Sequence, residues 1–358
     1  MKEIRILATG AGSVGCINFL RSLSCSPEKF YIVGIDTNEF YLILNSYLNK
    51  RYKAPKREDP SFIDFINHLC SEERVDFIHP NPEPELEILS QNIEKIKAKT
   101  LIARKEVVKI SRDKYLTYEK LKGKINMPTT RLYSEENLEE LAREHGFPLW
   151  IRARKGAGGR LSLPIYSLEE ARKWVELWNL KKIDKEEFMI QEFLPGKDVA
   201  WDSLWFKGKL YASFTRERLF YIYPQLSPSG ITGTPTVART IKDEKVNELC
   251  IRAVKNMDSN PSGFYCIDIK YDRENAPKIT EVNVKVHTTL GLWCHLSLKA
   301  LNLDWSYNLP YIYVKAGLED NLPNEPLGTD ILPEDVTLIR HLDSGVVILK
   351  NREVIRIM

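Results

Sequence analysis

Two short stretches of this sequence set hard oxygen ligands beside a cation: Ile267-Asp268-Ile269-Lys270 and Thr280-Glu281-Val282-Asn283-Val284-Lys285. At strand period, Asp268 and Lys270 share one face, and Glu281, Asn283 and Lys285 share one face of the next strand. If those strands pair, carboxylates, an amide oxygen and ammonium groups converge on one patch. Such a donor set suits Mg²⁺ (or Mn²⁺), which keeps waters and substrate phosphates in its shell. The bland alternative is an outer sheet face that tolerates alternating polar residues.

Two upstream segments could hold the phosphates and base of a nucleotide. Trp150-Ile-Arg152-Ala-Arg154-Lys155-Gly156-Ala-Gly158-Gly159-Arg160 reads as a strand running into a basic, glycine-rich loop. Backbone amides and cations in such a loop neutralise phosphate oxygens. The sequence G-x-x-x-x-G-K-[ST] is absent, so the chain is not a P-loop protein. Gln191-Glu192-Phe193-Leu194-Pro195-Gly196-Lys197-Asp198 is a strand that turns and resumes. Backbone groups there can pair with an adenine edge, and the carboxylate past the turn can accept ribose hydroxyls. A solvated basic hairpin and an ordinary Pro-Gly hairpin are the competing readings.

Gly10-Ala-Gly-Ser-Val-Gly15 also fits G-x-G-x-x-G, with Asp36 about twenty residues on. Alone it would support an NAD-dependent oxidoreductase. The glycines could equally permit a tight turn and close packing, or present a helix N-terminus to another anion.

The elements that must position these residues fall into four segments. Apolar runs at Ile4–Thr9, Tyr31–Asp36, Val75–His79 and Thr100–Ala103 alternate with helical text at about 14–23, 40–48, 62–70 and 86–96. That spacing predicts a doubly wound parallel sheet over 1–108. Over 109–188, a helix opening at Ser111-Arg-Asp-Lys114 with Ser111 as its cap, two further helices and a hairpin around the glycine-rich loop predict an α+β lobe. Over 189–320, strands from Phe188 onward and one long helix at Asp243–Met257 predict an antiparallel sheet with a helix on one face. Residues 321–358 read as an extension ending in a hairpin turned at Asn351-Arg352. The fold class is therefore α/β plus α+β.

Bulk composition bounds the function. The chain has 358 residues, 43% hydrophobic and 28% charged, with net charge +3. This is ordinary for a soluble domain pair and gives no clustered basic footprint for nucleic acid. Its six cysteines form no CxxC pair, which favours reduced thiols and a cytoplasmic location. No signal core or spanning segment is read, so no membrane partner is expected.

Taken together and in order, these motifs resemble the ATP-grasp superfamily, and the branch similar to the large subunit of carbamoyl phosphate synthetase, over about residues 1–320. The resemblance implies an N-terminal pre-ATP-grasp domain that often opens with such a glycine-rich turn, a lid lobe, and a larger lobe carrying the metals. It implies ATP as cosubstrate and phosphate contacts from Lys114 and Arg152. Lys155, Gly156, Gly158 and Gly159 would form a mobile lid, Gln191, Glu192, Phe193 and Leu194 the adenine linker, and Asp198 the ribose carboxylate. Asp268, Glu281 and Asn283 would hold Mg²⁺, and Lys285 stands where the family's Glu-x-Asn-x-Arg has arginine. The implied reaction joins a small carboxylate to an amine through an acyl phosphate. Arg152, Lys285, Arg239 and His287 are the catalytic candidates, and Arg216 and Arg218 join Arg239 as candidates for holding substrate carboxylates. A homodimer is the assembly considered. The alternatives are the oxidoreductase above and a non-catalytic nucleotide-binding protein of the same fold. Carbamoyl phosphate synthesis is disfavoured, since one such unit and no glutamine-hydrolysing domain are read.

Overall fold

The structure is a computed structural model that describes residues 3–156, 158–159, 161–341, 347–350 and 353–356. Arg160 of the glycine-rich loop and the Asn351-Arg352 turn lie outside the described residues.

The first segment carries β1 (Ile4–Thr9), α1 (Val14–Leu23), β2 (Phe30–Asp36), α2 (Glu39–Leu44), β3 (Lys50–Lys53), α3 (Phe62–Glu72), β4 (Phe77–His79) and α4 (Glu83–Gln91). Its sheet is parallel, in the order β3-β2-β1-β4. The sequence reading missed β3, whose Lys-Arg-Tyr-Lys text has no apolar alternation because it is an edge strand. It also placed a strand at Thr100–Ala103, where the structure has only a bridge between Phe77 and Lys99. The chain leaves the sheet there to enter the next helix. Leu7, Val33, Ile35 and Ile78 pack under α3, while Ile6, Ala8 and Phe77 face α1.

The second segment runs α5 (Lys105–Ser111), α6 (Lys114–Leu121), β5 (Thr130–Leu132), α7 (Glu135–His145), β6 (Leu149–Ala153), β7 (Leu163–Ile165), α8 (Leu168–Leu180) and β8 (Phe188–Glu192). Ser111 is the last residue of α5, not a cap. Asp113 caps α6, its carboxylate accepting from the amides of Tyr115 and Leu116. The sheet order is β5-β8-β6-β7. Thus β8, expected in the following sheet, belongs to this lobe, which runs past the boundary expected at 188.

The third segment contains β9 (Asp198–Phe206), β10 (Lys209–Tyr221), β11 (Pro235–Ile241), α9 (Glu244–Met257), β12 (Gly263–Tyr271), β13 (Pro277–Asn283), α10 (Leu290–Ala300), α11 (Leu309–Glu319) and β14 (Thr337–Ile339). The sheet order is β13-β12-β9-β10-β11-β14, with neighbours antiparallel. A separate pair, β15 (Val347–Lys350) and β16 (Glu353–Arg356), ends the described chain.

One face of the large sheet presents Trp201, Trp205, Tyr265, Ile267 and Ile269 to Val246, Leu249, Cys250 and Ala253 of α9. Part of the other face, with Leu204, Phe214 and Phe264, shares a core with α1, α10 and α11. Neither α10 nor α11 was read as a helix. Both are apolar over most of their circumference because they lie between two sheets, so no amphipathic stripe marks them. At the contact, a Cβ on Gly291 would lie 2.4 Å from the Asn18 carbonyl oxygen, so only glycine lets α10 approach α1 this closely.

Candidate active site

The rest of that second face carries the charged residues. Ala200 of β9 is the cross-strand partner of both Asp268 and Arg216. Asp268 in turn faces Glu281, and Cys266 faces Asn283. Residues paired this way point to the same side of a sheet, and period 2 adds Asp198, Asp202, Arg218 and Lys270. A cleft opens over this face. It is lined by Asp268, Glu281, Asn283 and Lys285 from the large lobe and by Lys114, Arg152, Lys155, Gly156, Gly158 and Gly159 from the lid lobe. The expected metal ligands and phosphate contacts therefore meet across the two lobes.

Ion pairs span the cleft. Arg152 Nη2 lies 2.8 Å from Glu281 Oε2, and Lys114 Nζ lies 3.5 Å from Glu281 Oε1. Lys114 also donates to the Gly156 carbonyl at 2.7 Å, which ties the glycine-rich loop to the same point. Burial pulls the Lys114 pKa below the usual lysine range, while Glu281 opposes that pull. Arg218 donates to Asp268 Oδ1 at 2.5 Å and to Asp198 Oδ1 at 3.3 Å. Burial would raise the Asp268 carboxyl, but Arg218 and His287 outweigh it and hold the group below the usual carboxylate range. Asp268 is therefore held as an anion, beside an acid and an amide oxygen on the next strand. That donor chemistry fits a hard divalent cation.

Part of the cleft lining is apolar. Trp150, Phe193, Leu194 and Pro128 line it, with the Trp150 and Phe193 rings 6.4 Å apart. Gln191 and Glu192 also line it, but their side chains are engaged elsewhere. Gln191 donates to Thr130 Oγ1 at 2.9 Å, and Glu192 pairs with Lys278 at 2.7 Å. This leaves the strand backbone, not these side chains, to face a base. Asp198 lines the cleft, held by the Tyr221 hydroxyl at 2.7 Å and by Arg218. Tyr221 gave no sequence signal, because it follows a bulged register at the end of β10.

His287 sits beneath the carboxylates. Its Nδ1 is 2.6 Å from Asp202 Oδ1 and its Nε2 is 3.5 Å from Asp268 Oδ1. Arg216, 1% exposed, donates through Nε to Asp202 Oδ2 at 2.9 Å. Asp202, Cys266 and His287 are close enough to suggest a metal site, but the Arg216 guanidinium already supplies the positive charge there. Asp202 was missed in the sequence. Its signal was an acid within Val199-Ala-Trp-Asp-Ser-Leu-Trp-Phe206, otherwise an apolar strand. Arg216, expected at a substrate carboxylate, lines the cleft, but its guanidinium is engaged by Asp202. Arg239 is not brought to the cleft: it pairs with Glu217 at 2.9 Å and Asp335 at 3.7 Å.

The N-terminal glycine turn is closed by packing. The Gly12 amide donates to Asp36 Oδ2 at 3.0 Å and the Asn38 amide to Oδ1 at 2.9 Å, which occupies the acid expected at a ribose. A Cβ on Gly10 would meet Pro82 Cγ at 2.2 Å, and one on Gly12 would meet Tyr41 Cβ at 2.4 Å. These glycines serve close approach within the domain, as the packing reading anticipated.

Comparison with known proteins agrees with this geometry. The model of the ATP-grasp domain matches residues 111–289. The chain is 28% identical to tyramine–L-glutamate ligase of Methanocaldococcus fervens over 255 residues, 70% of this chain and 72% of that one. Three solved structures resemble it at 14% identity. L-amino acid ligase from Bacillus licheniformis has a TM-score of 0.64, covering 89% of this chain and 74% of that one. N5-carboxyaminoimidazole synthetase from Staphylococcus aureus has 0.66, covering 91% and 79%. The biotin carboxylase domain of Hydrogenobacter thermophilus 2-oxoglutarate carboxylase, solved with MgADP and bicarbonate, has 0.67, covering 93% and 73%. At such identity these establish the fold. No helix among the described residues is long and apolar enough to cross a membrane.

Proposed function

The chain belongs to the ATP-grasp family, and from that premise we propose that it is an ATP-dependent ligase that joins a small carboxylate to an amine in the cleft between lid and large lobe. The observation that carries this reading is the set of oxygen ligands Asp268, Glu281 and Asn283, in register on neighbouring strands and facing Lys114 and Arg152 from the opposite lobe. The ligase named for the Methanocaldococcus relative supports the reaction class.

The adenine lies against Trp150, Phe193 and Leu194, with its edge on the backbone of the 191–194 linker. Lys114, Arg152 and Lys285 set fixed positive charge where the triphosphate lies, and the loop at 155–159 covers it. Asp268, Glu281 and Asn283 would hold Mg²⁺, which would offset charge on the phosphates. An oxygen of the substrate carboxylate attacks the γ-phosphorus in line. The bond to ADP breaks and an acyl phosphate remains. The amine then attacks the acyl carbon, an amide forms and phosphate leaves. Lid closure keeps water from the acyl phosphate. The six free cysteines, five of them buried, support a reducing cytoplasm as the working compartment. The Hydrogenobacter domain is named as a dimer, and sedimentation would test a homodimer of this chain.

The test is ADP release with MgATP across a panel of amino acids and amines that includes L-glutamate with tyramine. ADP release that requires both a carboxylate and an amine, with a matching amide product, is expected. ATP turnover indifferent to every pair would overturn the reading.

A further inference from the structure

The strand that carries Asn283 does not fix which end of its amide faces the cleft. An amide has an oxygen that can hold a cation and an NH2 group that repels one, and the two ends have nearly the same shape. A neighbour must select the oxygen end, and His287 stands where it can.

Three side chains form a row across the face of the large sheet. Cys266 of β12 is the cross-strand partner of Asp202 on β9 and of Asn283 on β13. His287, 8% exposed, touches both ends of this row. Its Nδ1 is 2.6 Å from Asp202 Oδ1, and its Nε2 is 3.4 Å from Asn283 Nδ2. Asp202 is itself anchored, since Arg216 reaches its Oδ2 with Nε at 2.9 Å and with Nη2 at 2.6 Å.

These contacts decide the tautomer of the ring. An ionised carboxylate only accepts, so at 2.6 Å Nδ1 carries the hydrogen and gives it to Asp202. Arg216 Nη2 also lies 3.4 Å from Nδ1, but its closer partner is Asp202 Oδ2. In the neutral ring Nε2 is then a bare acceptor. Asp268 Oδ1, 3.5 Å from Nε2, has no hydrogen to offer and is taken by Arg218. Asn283 has a hydrogen only on its nitrogen end. That end is drawn to His287, and the oxygen end is left for the cleft that Asn283 lines.

We propose that His287 is a positioning residue: the chain Arg216–Asp202–His287 holds the Asn283 amide with its oxygen toward the cation and its NH2 group away. This rests on the metal reading above. In this role His287 moves no proton during the reaction, unlike the catalytic role expected for it in the sequence. Its contribution is made before the nucleotide arrives, by setting one ligand of the site in a single orientation.

The test reads metal binding without turnover, on the whole chain with Mn²⁺ and ADP, following free Mn²⁺ by electron paramagnetic resonance. It is run at about pH 8, above the ordinary imidazole range. Two variants each keep half of the bridge, because an asparagine amide stands near the Nδ1 position and a glutamine amide near Nε2. His287→Gln keeps an acceptor within reach of Asn283 and is expected to bind Mn²⁺ within about threefold of wild type, whereas His287→Asn keeps only the contact with Asp202 and is expected to lose about 10- to 100-fold. A purely structural role predicts the reverse order, since His287→Asn preserves the buried pair. In an Asn283→Asp background both ends of the side chain are oxygen, so adding His287→Asn should cost less than about twofold. Affinity in His287→Asn equal to or above that in His287→Gln, or a loss that persists in the Asn283→Asp background, would overturn the proposal. A wild-type chain that binds no Mn²⁺ in the presence of ADP would instead count against the metal reading itself.

Discussion

Glu281 is the residue on which the site converges, since Arg152 and Lys114 reach it from the lid while it neighbours Asp268 across the strand pair. Glu281→Ala should lower ADP release by about 10³-fold or more, the scale of losing a charge-stabilising group at a phosphoryl-transfer centre. Circular dichroism should stay unchanged, because the residue is not part of an apolar core, and full activity in this variant would refute the metal assignment. Asp202 differs in kind. It is fully buried, and burial would raise its carboxyl, but Arg216 and His287 hold it well below the usual range. Removing its charge with Asp202→Asn leaves Arg216 buried without its counter-ion, so a loss of about 3–5 kcal/mol is expected in urea unfolding. His79 sets a pH dependence. It lies stacked on Phe19 at 3.6 Å, and burial pushes its pKa down to about 3 from 6.5. The unfolded chain therefore takes up a proton below about pH 6.5 that the folded chain refuses. Stability is full above that pH and falls by up to about 1.4 kcal/mol per unit as pH drops toward 3. Urea midpoints from pH 7.5 to 5 should show this slope, and His79→Leu should flatten it.

At the scale of elements, two glycine-bearing loops meet at the cleft. A Cβ on Gly159 of the lid would lie 2.4 Å from the Ile231 carbonyl oxygen, and one on Gly233 would lie 2.9 Å from Gly158 Cα. The lid loop and the β10–β11 loop therefore meet backbone to backbone. Gly159→Ala should raise KM for ATP about tenfold, the cost of a clash of this kind. Gly230→Ala shares a positive φ but has nothing within 4 Å. It should change KM by less than half that factor. Equal effects in the two variants would show that backbone strain, not the loop contact, is responsible.

At the scale of the molecule, α10 and α11 join the first domain to the large sheet, with Gly291 against Asn18 at the closest point. Gly291→Val should force the helices apart and lower stability by about 1–3 kcal/mol, read as a fall in the thermal midpoint. The same variant should weaken turnover, because the Asn18 contact to Thr288 holds the segment that carries His287.

The sequence by itself determined the chemistry-bearing patches, because they are local. Asp268, Glu281 and Asn283 need only strand period, and the glycine-rich loop needs only its composition and the strand before it. It also determined the parallel first sheet, since βα alternation leaves a direct trace in hydrophobic pattern. What it could not determine was the partner of each residue, because partners lie 14 to more than 100 positions away. Asp202 and Arg216 look like two unrelated polar residues until β9 and β10 pair. The edge strand β3 and the buried helices α10 and α11 were hidden for the same reason. One has too little burial and the others too much for periodicity to register, and burial is set by the packing of whole layers. The decoy at Gly10–Gly15 shows the limit most directly. The motif specifies a tight turn, but whether that turn faces a ligand or Pro82 and Tyr41 was settled only when the neighbouring elements folded over it.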